Sequence, residues 1–439
     1  MIEGLMAELQ KNIRIGFLTQ GLSWGMRFLC GVLIARGLGP LGRGELTLAM
    51  WVPSLFQALF YFGLGEASIS LLNRREYSRR DVVGSLNVLA LLLLAIGGCF
   101  YFSLSPWILR GLKHQLPQEL YQQAFWLFPL PLLWAYWSAN LLALGKVIEV
   151  NWGRVIHQGT LLVFVLIWFL WLSGQTNMAL WAFISGAAVE IVFVVILLHR
   201  QIPFALAWNI SVIRQQFRLG GQVTLANWLD FFSRRLDILF VSFFGGVVGV
   251  GLYTIAVGLR DLSLAIPQIF VRPVLSASAR HPGNEGIPLI AKAFQQAVFL
   301  IIPFGLVLSF ALPWLVNWIY SNSFAGAVAP ARWLLLGFVA LGLTEILTVG
   351  FIGFGQPKPV VLSQTISLAG LLFLGFIFAP LWGISGIAMA VSLSQIMGLI
   401  SLFLFLRWFY PDKFYAFFHA GWGHWRWHDL VFLWSRNNS

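Results

Sequence analysis

Charge is what this 439-residue chain has least of: 10% of its residues are Asp, Glu, Lys or Arg, against 59% apolar. Soluble domains carry about a quarter charged residues, so a soluble fold is excluded. Cysteine is nearly absent as well. Cys30 and Cys99 both sit inside apolar runs, which leaves no disulfide framework and no thiolate metal site. No phosphate-binding loop occurs, and no His/Cys/Asp cluster has metal-ligand spacing, so neither ATP hydrolysis nor a resident metal is expected. No Asp-x-Asp motif and no long polar loop are present, the longest external connection running roughly over 105–120. A membrane glycosyltransferase or ligase needs one or the other, so the chain is not read as an enzyme. Residues 1–14 carry Glu3, Glu8, Lys11 and Arg14 without a small-residue cleavage site, so no cleaved signal is expected.

What is present is apolar length. A helix needs about 20 mostly apolar residues to cross the hydrocarbon core. Such runs fall near 15–36, 44–72, 82–105, 121–145, 155–174, 178–199, 219–245, 249–275, 289–312, 328–354, 360–379 and 383–407. Their apolarity is continuous, which rules out the dyadic alternation of barrel strands. The fold class is therefore an all-α polytopic membrane protein with about twelve transmembrane helices. The formal net charge of +12 has a topological meaning: most Lys and Arg lie on alternate connections, from Lys11 and Arg14 through Arg74, Arg79, Lys146, Arg154 and Arg200 to Arg407. The positive-inside rule then puts both termini in the cytoplasm of a multi-pass cell (inner) membrane protein. Nucleic acid is not an expected partner.

Glycine is plentiful and patterned. "LIARGLGPLGRGELTLA" (33–49) and "FVSFFGGVVGVGLYTIA" (240–256) have the same length and nearly the same punctuation. Shifted by 207 positions, Gly39, Gly42, Gly44, Thr47 and Ala49 fall on Gly246, Gly249, Gly251, Thr254 and Ala256. Upstream, Leu18, Leu22, Arg27 and Leu29 fall on Leu225, Leu229, Arg234 and Leu236. An internal repeat of six spans returns the chain to its starting side, so the two copies insert in parallel. The expected organisation is a six-helix bundle over 1–199, a cytoplasmic linker over 200–219, a second bundle over 220–407 and an aromatic tail over 408–439. In each copy the glycines are expected to make a tight external turn between the first two spans.

The repeat also aligns polar residues at membrane depth, where a charge costs about 3 kcal/mol on insertion scales and usually faces a cavity. In the seventh span Asn227, Asp230, Arg234 and Asp237 follow i, i+3, i+7, i+10 spacing and share one face. Arg234 is spaced to pair with Asp230 and with Asp237, and Arg235 points about 100° away. The matching stripe in the first span is Gln20, Ser23, Arg27 and Cys30, whose arginine has no carboxylate at neighbour spacing. These arginines either hold the bundle together or face an anion, whose oxygens suit a guanidinium fork. Arg260 and Asp261 lie in the eighth span, with Gln268 and Arg272 on the Asp261 face. Glu66, Glu190 and Glu345 are isolated carboxylates, each either a proton or Na⁺ coupling site or a neutral, hydrogen-bonded core residue.

The stretches 32–49 and "NWLDFFSRRLDILFVSFFGGVVGVGLYTIAVGLRDL" (227–262) resemble the signatures of the polysaccharide-biosynthesis transporters. These are the O-antigen or lipid-linked oligosaccharide flippases of the multidrug/oligosaccharidyl-lipid/polysaccharide (MOP) exporter superfamily. The resemblance implies two pseudo-symmetric six-helix bundles around a central cavity opened alternately to either side. It implies a polyprenyl-diphosphate-linked oligosaccharide as substrate, flipped from the cytoplasmic to the outer leaflet. No cofactor is implied beyond coupling to an H⁺ or Na⁺ gradient. Membrane lipids and the glycosyltransferases or polymerase of the same pathway are the implied partners. Carried onto this sequence, Arg27, Arg234, Arg235 and Arg260, with Gln20 and Asn227, become the substrate-facing set. Asp230, Asp237, Asp261, Glu66 and Glu345 become coupling or counter-charge residues.

Two other readings stand beside this one: a cation-coupled drug or small-molecule exporter of the same superfamily, and a non-transporting scaffold for glycan assembly. A cavity for organic cations should be acidic and aromatic, which several arginines argue against. The tail after Arg407 holds five tryptophans among basic and His residues and is expected to lie at the cytoplasmic interface.

Overall fold

The computed structural model describes residues 2–74, 76–112, 116–171, 175–280, 287–353 and 358–409, so the expectation for the tail lies outside the described residues beyond 409. Among the described residues there is no strand. The helices are α1 (Ile2–Phe60), α2 (Leu64–Arg74), α3 (Arg79–Ser103), α4 (Ser105–Gly111), α5 (Gln118–Ala124), α6 (Pro129–Ala143), α7 (Val147–Trp171) and α8 (Thr176–Gln201). They continue with α9 (Ile210–Ser263), α10 (Ala265–Arg280), α11 (Ile287–Ile319), α12 (Val328–Gly353) and α13 (Lys358–Phe409). The chain is a multi-pass helical membrane protein.

Three of these helices are too long to be single spans, and each is broken at one glycine: Gly39 in α1, Gly246 in α9 and Gly383 in α13. Cut there, the helices sort into twelve spans. Gly39 has φ 65° and ψ −175°, and Gly246 has φ 65° and ψ −173°. That is a backbone region only glycine occupies readily, so the two glycines matched by the repeat make the same turn in the same way. The connection expected over several residues is a single residue long. In the first copy Pro40 follows at once, its fixed φ suited to a helix start and its missing N–H no loss there.

Other spans are interrupted where the sequence reads as continuous. Between α1 and α2 the chain bends by 40° at residues 61–63, where Phe62 and Gly63 both have positive φ. At that break the Tyr136 hydroxyl donates to Phe60 O at 3.0 Å and to Tyr61 O at 2.8 Å, and Tyr61 O also accepts from Leu64 N at 3.3 Å. The fourth span is split into α5, a 3₁₀ turn at Phe125–Leu127 and α6, which starts at Pro129 and holds Pro131.

The chain divides into two compact units, Met1–Phe231 and Phe232–Ser439, a division that falls inside α9. In the first unit Phe56, Tyr101, Tyr121, Phe125 and Phe128 form an aromatic core, the Tyr101 and Tyr121 rings stacking at 4.5 Å. Residues 200–219 are packed here too: Asn87 Nδ2 donates to Ala205 O at 3.0 Å, and buried Gln216 donates to Ser68 Oγ and Val82 O. Gly63 and Gly220 touch backbone to backbone, so closely that a Cβ on Gly63 would stand 2.5 Å from Gly220 O. The second unit includes α11 and α12, where Gly342 and Gly350 meet Pro267 and Ile290 side chains, and α13.

Candidate functional site

In the first unit α1 and α7 run side by side in the same direction. Gly16 lies at Asn151, Gly159 at Met26 and Gly37 against the Trp168 ring. The hairpin partner α8 comes close to α7 at Gly186, where a Cβ would be 3.1 Å from His157 O. Small residues set these approaches, and they bring one polar face from each helix around a shared space. That space is a cavity of about 260 Å³ lined by Gln20, Ser23, Trp24 and Arg27 from α1, Trp134 from α6, Arg154, His157 and Gln158 from α7, and Glu190 from α8.

The electrostatics of this cavity are uneven. Arg27 is exposed, and among the described residues no acceptor lies within bonding distance of it. Its position is twelve residues before the kink at Gly39, about 18 Å along a helix axis. Arg154 stands 5.5 Å over the Trp134 ring, an arrangement that leaves its donors open. Glu190 is buried and does not stand alone: its Oε2 lies 2.8 Å from His157 Nδ1.

The equivalent arginine of the second unit has a different environment. Arg234 lies 3.4 Å from Glu345 Oε1, and the other oxygen of Glu345 accepts from Gln268 Nε2 at 2.6 Å, so one carboxylate ties α9, α10 and α12 together. The expected pairing of Arg234 with Asp237 does not form. Asp237 is buried, its Oδ2 accepting from Tyr253 at 2.8 Å and its Oδ1 from Ile238 N. The three-residue spacing suits a pair, but Asp237 turns to Tyr253 for its bond and has Arg260 and Arg235, not Arg234, as the charges acting on it. Arg260 is also buried, and its Nε and Nη2 both donate to Asp261 Oδ1, at 3.0 and 2.8 Å. It is neutralised by its chain neighbour, and Asp261 spends its charge there. Arg235 is exposed, while Asn227 and Asp230 are half-buried on the same helix. Glu66 accepts from Tyr61 OH at 2.7 Å at the start of α2.

Of the residues expected to face substrate, the cavity thus gathers Arg27 and Gln20, while Arg234 and Arg260, and the expected coupling or counter-charge residues Glu345, Asp261 and Asp237, engage in contacts within the second unit. Two lining residues, Arg154 and His157, were not foreseen as a site, and Glu190 was read only as an isolated carboxylate. Arg154 reads as part of a basic connection, but α7 starts at Val147 and carries it two turns into the span. His157 draws no notice alone in an apolar run, and Glu190 shows no partner on its own helix. A signal did exist: His157 lies fourteen residues before the end of α7 and Glu190 fourteen after the start of α8, the register of a facing pair in a helical hairpin.

Residues 9–279 match the family described as "Polysaccharide biosynthesis protein". No curated protein matches the chain by sequence. Among solved structures, the lipid II flippase MurJ in an inward closed conformation is similar with a TM-score of 0.76 at 16% identity, covering 95% of this chain and 91% of that one. An inward-facing multidrug resistance MATE family transporter of the MOP superfamily gives 0.70 at 15% identity, covering 90% and 95%. A MOP superfamily transporter from Pyrococcus furiosus, described as having a binding pocket of reversed polarity, gives 0.61 at 16% identity, covering 94% and 95%. At such identities the likeness concerns the fold, which these transporters and this chain share. The matched segment takes in both glycine kinks of the repeat and every residue of the cavity, and the chain belongs to the polysaccharide biosynthesis protein family.

Proposed function

We propose that the protein flips a polyprenyl-diphosphate-linked oligosaccharide from the cytoplasmic to the outer leaflet of the inner membrane by alternating access, with both termini cytoplasmic. The observation that carries this reading is Arg27: a guanidinium with no bonding partner among the described residues, in a cavity it shares with Arg154. An ion without a partner in that environment is costly, and a function is the usual reason to keep it. A diphosphate is the complement of two guanidinium forks, while a prenyl chain needs no polar path and stays in lipid. The family, and the similar fold of MurJ, a lipid II flippase, agree with a lipid-linked substrate. A drug exporter for organic cations is disfavoured by the same two arginines. Coupling to an H⁺ or Na⁺ gradient, and cooperation with glycosyltransferases or a polymerase, belong to this proposal.

The test is flipping of a lipid-linked oligosaccharide in reconstituted vesicles. Arg27→Ala inserts normally and loses flipping. Wild-type flipping by that variant would remove the cavity from the transport path.

A further inference from the structure

We propose that His157 is a third ligand for the anion in this cavity, able to bind it only when protonated, and that Glu190 holds it ready for that role. The inference rests on reading the Arg27 cavity as an anion site.

Glu190 is a buried carboxylate, and a carboxylate only accepts, so the His157 nitrogen 2.8 Å away carries the hydrogen. Fixing Nδ1–H fixes the tautomer, as a carboxylate does for a metal-bound imidazole. The second nitrogen, Nε2, then remains, with no partner among the described residues, on a side chain that lines the cavity. In the neutral ring Nε2 presents a lone pair, which an unprotonated phosphate oxygen cannot bond. In the imidazolium it presents an N–H, which a phosphate oxygen accepts. Histidine is the side chain whose ordinary titration range makes this a choice near neutral pH.

Every charged group facing His157 enters the balance. Arg27 comes from α1, Arg154 from one turn earlier on α7 and Glu190 from α8, while α6 contributes only the uncharged Trp134. Two fixed cations and one carboxylate surround the imidazole of an empty cavity. A bound diphosphate screens both guanidinium groups and supplies an acceptor for Nε2–H. Anion binding therefore raises the imidazole's affinity for a proton, and by reciprocity a proton raises the affinity for the anion. The sign follows: the histidine's contribution to anion affinity is full at low pH and is lost as pH rises through the imidazole's range in the occupied cavity. One proton taken up per anion bound limits that loss to at most tenfold per pH unit.

The test titrates undecaprenyl diphosphate into the full-length protein in phosphatidylcholine nanodiscs by calorimetry, from pH 5.5 to 8.5, in two buffers of different ionisation enthalpy. The probe itself titrates in this range, so the readout is the difference between wild type and His157→Gln. The expected result is a variant about tenfold weaker at pH 6, converging on wild type by pH 8.5 and taking up fewer protons at low pH. Glu190→Gln keeps the imidazole, and its histidine-dependent loss of affinity moves to lower pH. Parallel pH profiles for wild type and both variants would overturn the proposal and leave the pair as a strut between α7 and α8. If wild type binds no probe at any pH, the anion site itself fails. If Arg27→Ala abolishes binding while the His157→Gln profile runs parallel to wild type, only the proton linkage fails. Inorganic pyrophosphate reproducing the linkage supports it with the head group as ligand, and linkage with the lipid alone supports it with the prenyl chain as a required part.

Discussion

Replacing Gly39 by alanine separates the energy of the kink from the energy of space. A Cβ at Gly39 meets nothing within 4 Å, so steric crowding contributes nothing and the penalty is entirely backbone. Holding an L-residue at φ 65° and ψ −175° costs about 1–3 kcal/mol. Stiffening the unfolded chain offsets about 0.4–1 kcal/mol of that, leaving a net loss of roughly 1–2 kcal/mol. Asparagine should not rescue the site. Its tolerance of positive φ is for the left-handed helical region, with ψ near +47°, far from the ψ observed here. Gly21→Ala is the matched control, because Gly21 is also helix-embedded with nothing within 4 Å of an added Cβ, and its φ is not positive. It should gain up to about 1 kcal/mol, as an interior helical glycine does on replacement by alanine. Apparent Tm in one detergent reads both variants, which should move by a few degrees in opposite directions. Gly246→Ala repeats the measurement in the other copy, where the dihedral angles match and an added Cβ again meets nothing. Gly39→Ala as stable as Gly21→Ala would refute the assignment of the kink to glycine's backbone freedom.

Other outcomes follow from the site and its surroundings. Tyr136→Phe removes the donor shared by Phe60 O and Tyr61 O and should lower stability by about 1–3 kcal/mol, read as a lower apparent Tm. Glu345→Gln removes the charge facing Arg234. That guanidinium is 41% exposed, so the loss should be near 1 kcal/mol rather than that of a fully buried pair. Arg27→Ala should be at least as thermally stable as wild type, since no bond among the described residues is broken and an uncompensated charge is removed. Arg27→Lys retains charge without the planar fork and should flip substrate more slowly than wild type but faster than Arg27→Ala in the vesicle assay.

The sequence made the fold legible where one residue type had no substitute. Only glycine serves at the φ of Gly39 and Gly246, so the repeat surfaced as matched glycines although most of the apolar residues around them differ. Arg27 was legible for a similar reason, as a cation in an apolar run with no local counter-charge. What escaped was anything depending on which helix lies opposite. Asp237 and Arg234 are correctly spaced, but a tyrosine sixteen residues further on claims the carboxylate. Arg154 reads as part of a connection because charge marks span ends only on average, and α7 begins eight residues earlier than the expected span at 155. The breaks at 61–63 and at Phe125–Leu127 were hidden because the residues around them are as apolar as those of an unbroken span.

A turn made of one residue has no slack. Gly39, Gly246 and Gly383 each follow an odd-numbered span, and each joins it to the next with a single peptide unit out of helical geometry. Two rods riveted at one end can splay only at the other, so each hairpin works like a clothes-peg whose spring is the kink itself. Any parting of spans 1 and 2 is therefore largest at the end remote from Gly39 and smallest beside it. An epitope tag of a few residues inserted at Gly39 would remove the rivet while leaving the Arg27 cavity intact, turning a fixed hairpin into two independent helices.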